Sequence, residues 1–300
     1  MHFPTNRNFS RQLLSLQRIY WKANLLSGAG RKTIREIALL DGKETLNLLI
    51  QQRLSFSRFG EGELRLAFQQ SGTVYDDASL DLGNSLREIL LHKNDGILVG
   101  YNNLFSKNHE IRWIRDYLRS EKEAHYFESI HTRNDVLVLE RRKLVNEYRK
   151  YLRLLARDSD QKVLGEASVF SLGTYVEDFR NGTLDEVKTL IVNLLESNSL
   201  LVIAPEKPAS GRPLLEILNG KEWRIGKLES IIVPTRNAYM NRVDLMARIG
   251  QMNEEIDTVV IQAGAAGSLL SAQIQSRFGI RAIDVGGFGV GNIQSPNKFA

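Results

Sequence analysis

The chain has 300 residues, 42% of them hydrophobic and 25% charged, the make-up of a water-soluble globular protein with room for a full core. It has no cysteine, so disulfides, thiolate catalysis, iron–sulfur clusters and cysteine zinc sites are excluded. The net charge of +5 is too small to mark a nucleic-acid protein, and no apolar run reaches the roughly 18 residues of a membrane span.

Residues 1–35 carry seven basic side chains, Arg7, Arg11, Arg18, Lys22, Arg31, Lys32 and Arg35, with no acid before Glu36. Arg11, Arg18 and Lys22 interrupt every apolar core a signal peptide would need, so a cytoplasmic setting is expected. Over 9–26, Phe9, Leu13, Leu16, Tyr20 and Ala23 recur at spacings of four and three, which predicts an amphipathic helix. A basic helix of this kind suits the inner face of an anionic membrane, through residues 9–35; it equally suits packing on its own domain or on a sister subunit in a homo-oligomer. We read 1–45 as an N-terminal basic segment and 46–300 as the main domain.

From residue 54 short β-rich runs alternate with helical patterns. A strand is predicted at Leu54–Phe59 and a helix at Glu61–Gln69. A helix at Leu80–Leu91 precedes a buried-type strand at Gly96–Gly100. Helices follow at Asn108–Arg119 and Glu140–Arg157. The charged stretch 120–165 has no strand signal and reads as a helical insertion. Ser168–Ser171 is a strand candidate, Leu184–Glu196 a helix, and Leu200–Ala204 and Ser230–Val233 are strands. The chain closes with a helix over 239–252, a strand at Thr258–Ala263, a helix at Ser268–Arg277 and a strand at Arg281–Val285. Strands apolar on both faces, alternating with helices, predict an α/β, Rossmann-like fold: a mostly parallel sheet with helices on both faces.

Ligands of open α/β sheets bind at the carboxyl ends of strands, so the loops there are the candidate sites. Arg58-Phe59-Gly60-Glu61-Gly62-Glu63 follows the first strong strand. If the piece is a turn, Glu61 and Glu63 converge, and paired carboxylates are what Mg²⁺ or Mn²⁺ takes beside substrate phosphates and water. Gly60 and Gly62 would let a phosphate near the backbone, and Arg58 would pair with it or hold a glutamate. The alternative is a helix start with acids in its first turn, favoured by the dipole.

Gln262-Ala263-Gly264-Ala265-Ala266-Gly267-Ser268 is a strand–turn–helix junction able to take an anion. Asp284 follows Gly264 by 20 residues, as in a dinucleotide fingerprint, although the glycine spacing is not G-x-G-x-x-G. A tight structural turn is the alternative. Glu206 and Arg212 flank a loop after Leu200–Ala204 as an ion pair or as ligands. Asn237, after Ser230–Val233, is a helix N-cap or a ligand. His92, His109, His125 and His131 lack metal-ligand spacing.

These segments together resemble the bacterial GT-D-type glycosyltransferase family. Arg58 to Glu63 is similar to its R-F-G-D/E-G-E signature. Thr174-Tyr175 resembles its T-R-x-Y region without the arginine. Ser230 to Tyr239 is similar to its S-I-x-R-I-x-x-P-x-x-N-A-F block, and Ala282 to Gly286 to its A-x-D-x-G strand. Ala265-Ala266 stands where the family has Pro-Thr, and Gly287 to Gly289 where it often has a histidine. The resemblance implies transfer of a sugar from a nucleotide diphosphate donor, a UDP-sugar foremost, to a glycan, glycoprotein or lipid-linked acceptor, with Mn²⁺ or Mg²⁺. It implies metal binding by Glu61 and Glu63, a diphosphate framed by Arg58, Gly60 and Gly62, and a nucleoside held by Asn237, Gly264 and Asp284. Glu206 and Arg212 belong to its glutamate-led loop. A catalytic base falls among Asp284, Glu206 and Asp178. The readings left beside it are another nucleotide-binding transferase or dehydrogenase built on the Gly264 turn, and a basic membrane-surface or nucleic-acid binding protein; no nucleic-acid motif is present.

Overall fold

A computed structural model describes residues 37–68, 76–77, 79–101, 151, 155, 157–175, 178, 182–207 and 213–288, with Glu61, Leu172 and Gly173 described by their backbone alone. The predicted helices over 9–26 and 108–119, most of the insertion and of the helix over 140–157, and Arg212 lie outside these residues.

The eight described strands are β1 (Ala38–Leu39), β2 (Ser55–Phe59), β3 (Ile97–Tyr101), β4 (Val163–Glu166), β5 (Ser197–Ala204), β6 (Ile225–Ile232), β7 (Thr258–Ile261) and β8 (Arg281–Asp284). They form one sheet in the order β1-β4-β3-β2-β8-β7-β5-β6, and every pairing is parallel. All carboxyl ends therefore share one edge. The helices are α1 (Gly42–Gln51), α2 (Glu61–Ala67), α3 (Leu80–Leu91), α4 (Leu184–Leu195), α5 (Leu214–Leu218), α6 (Arg242–Met252) and α7 (Ala265–Phe278). This is the α/β, Rossmann-like architecture expected from the alternation.

Strand residues alternate between two cores. Phe59, Val99, Leu201, Ile203, Val259, Ile261 and Ala282 face α2, α3, α6 and α7. Phe56, Leu98, Leu200, Val202, Val260 and Ile283 face α1, α4 and α5. Burying a side chain such as Phe56 contributes at most about 3 kcal/mol, and the central strands are buried on both faces because helices cover each side. Caps set the helix starts: Asp41 Oδ1 accepts from Glu44 N at 2.9 Å while Glu44 Oε2 accepts from Asp41 N at 2.8 Å. Arg281, buried at the start of β8, donates to the carbonyls of Leu49 (2.9 Å), Leu194 (2.8 Å) and Leu54 (3.3 Å). It thereby closes the ends of α1 and α4 against β2.

Several elements differ from their sequence readings. The strand before the 170s is Val163–Glu166, inside the stretch read as strandless, while 168–171 is a turn. Four residues are too few to show periodicity. Strand β6 starts at Ile225, ahead of the predicted Ser230. It is an edge strand, and Lys227 and Glu229, paired at 2.5 Å, give it the polar look of a loop. Helix α7 starts at Ala265 rather than Ser268. The sheet begins at Ala38, and Ile37 is buried in the core. Tyr151 and Leu155 are helical and buried as their spacing predicts, Tyr151 stacking on Phe68 at 4.4 Å.

Candidate functional site

The chain leaves β2 toward β3 and β4, whereas β8 is reached from β7 on its other side. The boundary between β2 and β8 is the point where an open α/β sheet forms its ligand crevice. The ends of β2, β7 and β8 bring Arg58, Gly60, Glu63, Gly264 and Asp284 there.

Glu61 to Glu63 form the first turn of α2, not a free turn, so the convergence argued from turn geometry does not apply. Glu63 is 6% exposed; its Oε2 turns back to accept from Gly60 N at 2.9 Å, and Oε1 lies 3.6 Å from Arg58 Nη2. A Cβ at residue 60 would stand 2.9 Å from that Oε2, so glycine leaves space for the carboxylate. Gly62 is the second residue of α2. The Arg58 side chain is one-fifth exposed (21%), the one cation at this crevice among the described residues that the resemblance assigns to the donor.

Asp284 is fully buried, not open to a ribose. Its Oδ1 accepts from Gly286 N at 3.1 Å, and its Oδ2 lies 2.9 Å from Ser268 Oγ. The single Ser268 hydroxyl hydrogen also has the Arg58 carbonyl as an acceptor. The hydroxyl hydrogen serves one acceptor at a time: Asp284 Oδ2 while the carboxyl is ionised, and the Arg58 carbonyl when Asp284 is protonated and itself donates to Ser268 Oγ. Burial pushes the Asp284 carboxyl up to about 6, with Arg58 and the two hydrogen bonds opposing and Glu63 adding to the rise. Asp284 thus locks the end of β8 onto α7. The comparison with a dinucleotide fingerprint fails on this point, because that acid must reach a ribose hydroxyl.

Asp76 was missed in the sequence. It is 2% exposed, and its Oδ2 accepts from Ala265 N, the first amide of α7, at 3.0 Å. Burial pushes it up to about 6, the Ala265 amide opposing and Glu63 and Asp77 adding to the rise. Gly264, at φ +57 and ψ −143, takes a backbone shape open only to glycine and turns that amide toward Asp76. Asn237 is not an N-cap: it sits at φ +56 with no capping bond, and its side chain pairs twice with Asp77, accepting from Asp77 N and donating to Asp77 Oδ2, both at 2.8 Å. Asn237 therefore holds the 76–77 segment over the start of α7. The only local signal for this role is a Tyr75-Asp76-Asp77 run before the Ser79 cap, which reads as a solvated turn.

Glu206 is exposed at the end of β5, two strands from β8, beside a mostly apolar cavity of about 160 Å³ with Pro205, Pro213 and Ile232. Asp178 is bound to Lys43 at 2.6 Å, next to α1. Neither is brought to the crevice. Among the described residues no group of three or more histidine, aspartate or glutamate side chains is placed to hold a metal ion. The donor set present is nevertheless oxygen-only, and Glu63 and Asp76 feel each other's charge inside a buried rim. That fits Mg²⁺ or Mn²⁺, which takes one or two protein carboxylates and completes its shell with substrate phosphate and water.

No protein-family model matches the chain, and no curated protein matches its sequence. Solved structures do. Two structures of domain of unknown function 1792, one of them described as having a distinct glycosyltransferase fold, superpose with TM-score 0.61 and 18% identity, over 87% of this chain and 83% of theirs. A protein described as a new glycosyltransferase from Streptococcus sanguinis superposes with TM-score 0.59 and 18% identity, over 84% of this chain and 82% of its own. The chain shares the fold of these structures. No described helix is long and apolar enough to cross a membrane.

Proposed function

We propose that this chain is a glycosyltransferase that takes a sugar from a nucleotide diphosphate donor, with a divalent cation at the diphosphate. The observation that carries the reading is the meeting, at the β2–β8 crevice of a glycosyltransferase fold, of one part-exposed arginine with a rim of carboxylates.

In this reading Arg58 grips the donor diphosphate. Its planar fork matches phosphate oxygens, and the Glu63 carboxylate 3.6 Å away keeps it from swinging out. Glu63 holds the cation, and Asp76, close enough to feel its charge, adds a second oxygen donor. A bound cation would supply charge neutralisation for the departing nucleoside diphosphate. The first amide of α7, set by Gly264, is held by Asp76, which fixes that helix start beside the crevice. Asn237 acts by fixing Asp77, and Asp284 by fixing the β8 end. UDP-sugars are the first donors to test; the acceptor class is a glycan, glycoprotein or lipid-linked sugar. The basic segment 7–35 provides a means of sitting at an anionic membrane surface, to be tested by sedimentation with and without residues 1–30.

The test is a thermal-shift panel of nucleotide sugars with Mn²⁺ or EDTA. A donor at a hundredfold excess over its Kd adds about 2.7 kcal/mol of stability. Stabilisation by a nucleotide sugar with Mn²⁺ that vanishes in EDTA supports the reading. A flat panel in both conditions refutes it.

A further inference from the structure

We infer that Gly286 is a positioning residue for Arg58: the side chain it lacks is the slot in which the guanidinium lies, so residue 286 sets where a diphosphate is gripped. The inference rests on the proposed function in one respect, that Arg58 meets a diphosphate.

Arg58 lies two residues past Phe56, and Gly286 lies three past Ile283, the parallel partner of Phe56. A Cβ placed on Gly286 would stand 2.4 Å from both Cζ and Nε of Arg58 and 2.6 Å from Nη2. Gly286 cannot retreat from this contact. Its N–H donates to Asp284 Oδ1 at 3.1 Å, and its carbonyl accepts from Gln262 Nε2 at 2.9 Å. It is held from β8 on one side and from the end of β7 on the other. What gives way to a new side chain is the arginine head, the far end of a flexible chain that is one-fifth exposed at 21%. Displaced, it also leaves Glu63, its ion-pair partner at 3.6 Å. The buried fixings at 262, 284 and 286 thus act on the crevice through a single cation.

The backbone of Gly286, at φ +52, offers a competing account in which glycine is present for its conformation alone. The two accounts rank substitutions differently. Asparagine adopts the left-handed region more readily than alanine. A conformational role makes Gly286→Asn milder than Gly286→Ala in every measurement. A slot makes Gly286→Asn at least as damaging to phosphate binding, because its side chain is larger. Gly287→Ala is the control, since a Cβ there meets nothing within 4 Å.

The experiment measures inorganic pyrophosphate and UDP binding by calorimetry, with Mn²⁺, for the full chain, these variants and each in an Arg58→Ala background. It also records the Arg58 Nε–H NMR resonance without ligand, assigned by its loss in Arg58→Lys. Gly286→Ala and Gly286→Asn should each weaken binding about tenfold or more, yet less than about twofold once Arg58 is gone, and both should shift the resonance. Losses that multiply in the Arg58→Ala background, or an unmoved resonance, overturn the inference and leave the proposed function standing. If the unmodified protein binds neither pyrophosphate nor UDP, the diphosphate role given to Arg58 fails, and the resonance alone decides whether Gly286 sets Arg58.

Discussion

Replacing Asp284 by Asn should stabilise the protein at neutral pH, and the gain should disappear in mild acid. The carboxyl is fully buried and pushed up from 3.8 to about 6, chiefly by burial. At about 1.36 kcal/mol per tenfold change in proton affinity, that gap corresponds to about 3 kcal/mol. The sign follows from proton linkage. Between pH 3.8 and about 6 the folded chain keeps a proton that the unfolded chain has lost, so this group's contribution is fully present below pH 3.8 and is lost as pH rises through about 6. Asn imitates the protonated acid: its carbonyl oxygen accepts from Gly286 N, and its amide donates to Ser268 Oγ, leaving the Ser268 hydroxyl for the Arg58 carbonyl. The assay is guanidinium unfolding of both proteins in EDTA from pH 4 to pH 8. The stability of Asp284→Asn relative to the parent should rise across pH 4 to 6 by up to about 3 kcal/mol and then level off. A difference that stays within about 0.5 kcal/mol over the whole range would refute the buried-acid assignment.

Glu63→Gln should keep the fold, since glutamine still accepts from Gly60 N, but should remove the Mn²⁺-dependent part of UDP stabilisation in the thermal-shift assay. Arg58→Ala should weaken UDP binding by about 1.5–3 kcal/mol, the cost of losing a charged hydrogen-bond donor, read by calorimetry. Arg281→Met should cost about 3–5 kcal/mol in guanidinium unfolding, because three carbonyls lose their shared donor, while the folded remainder binds UDP with unchanged affinity. Asn237→Ala should weaken UDP binding less than Arg58→Ala does, since it loosens the 76–77 segment without removing a charge; an effect as large would move Asn237 into direct contact with the donor.

What the sequence made legible follows from how locally each feature is determined. The strands at 97–101 and 258–261 are almost wholly apolar, so composition alone reveals them; the strand at 55–59 shows by Phe56 and Phe59 ahead of Gly60, and the Leu80–Leu91 helix by the spacing of Leu82, Leu86 and Leu90. Arg58 and Glu63 are visible because they follow a strong strand end. Asp76 is not, because its meaning lies in an amide 189 residues further on. Asn237 reads as a cap for the helix beside it, yet its partner lies 160 residues earlier. Asp284 stands at the expected strand end, but whether its carboxylate faces solvent or Ser268 depends on α7 starting at Ala265, three residues sooner than the pattern suggests.

Release of nucleoside diphosphate from a panel of nucleotide sugars, measured with Mn²⁺ and with EDTA, tests the central claim most directly. At least one donor should turn over with Mn²⁺, lose that turnover in EDTA, and turn over at least about a hundredfold more slowly in Arg58→Ala, the size of losing one charged hydrogen bond at the reacting group. Turnover that is indifferent to EDTA and to Arg58 would contradict the assigned crevice, and no binding or turnover of any nucleotide sugar would contradict the glycosyltransferase reading itself.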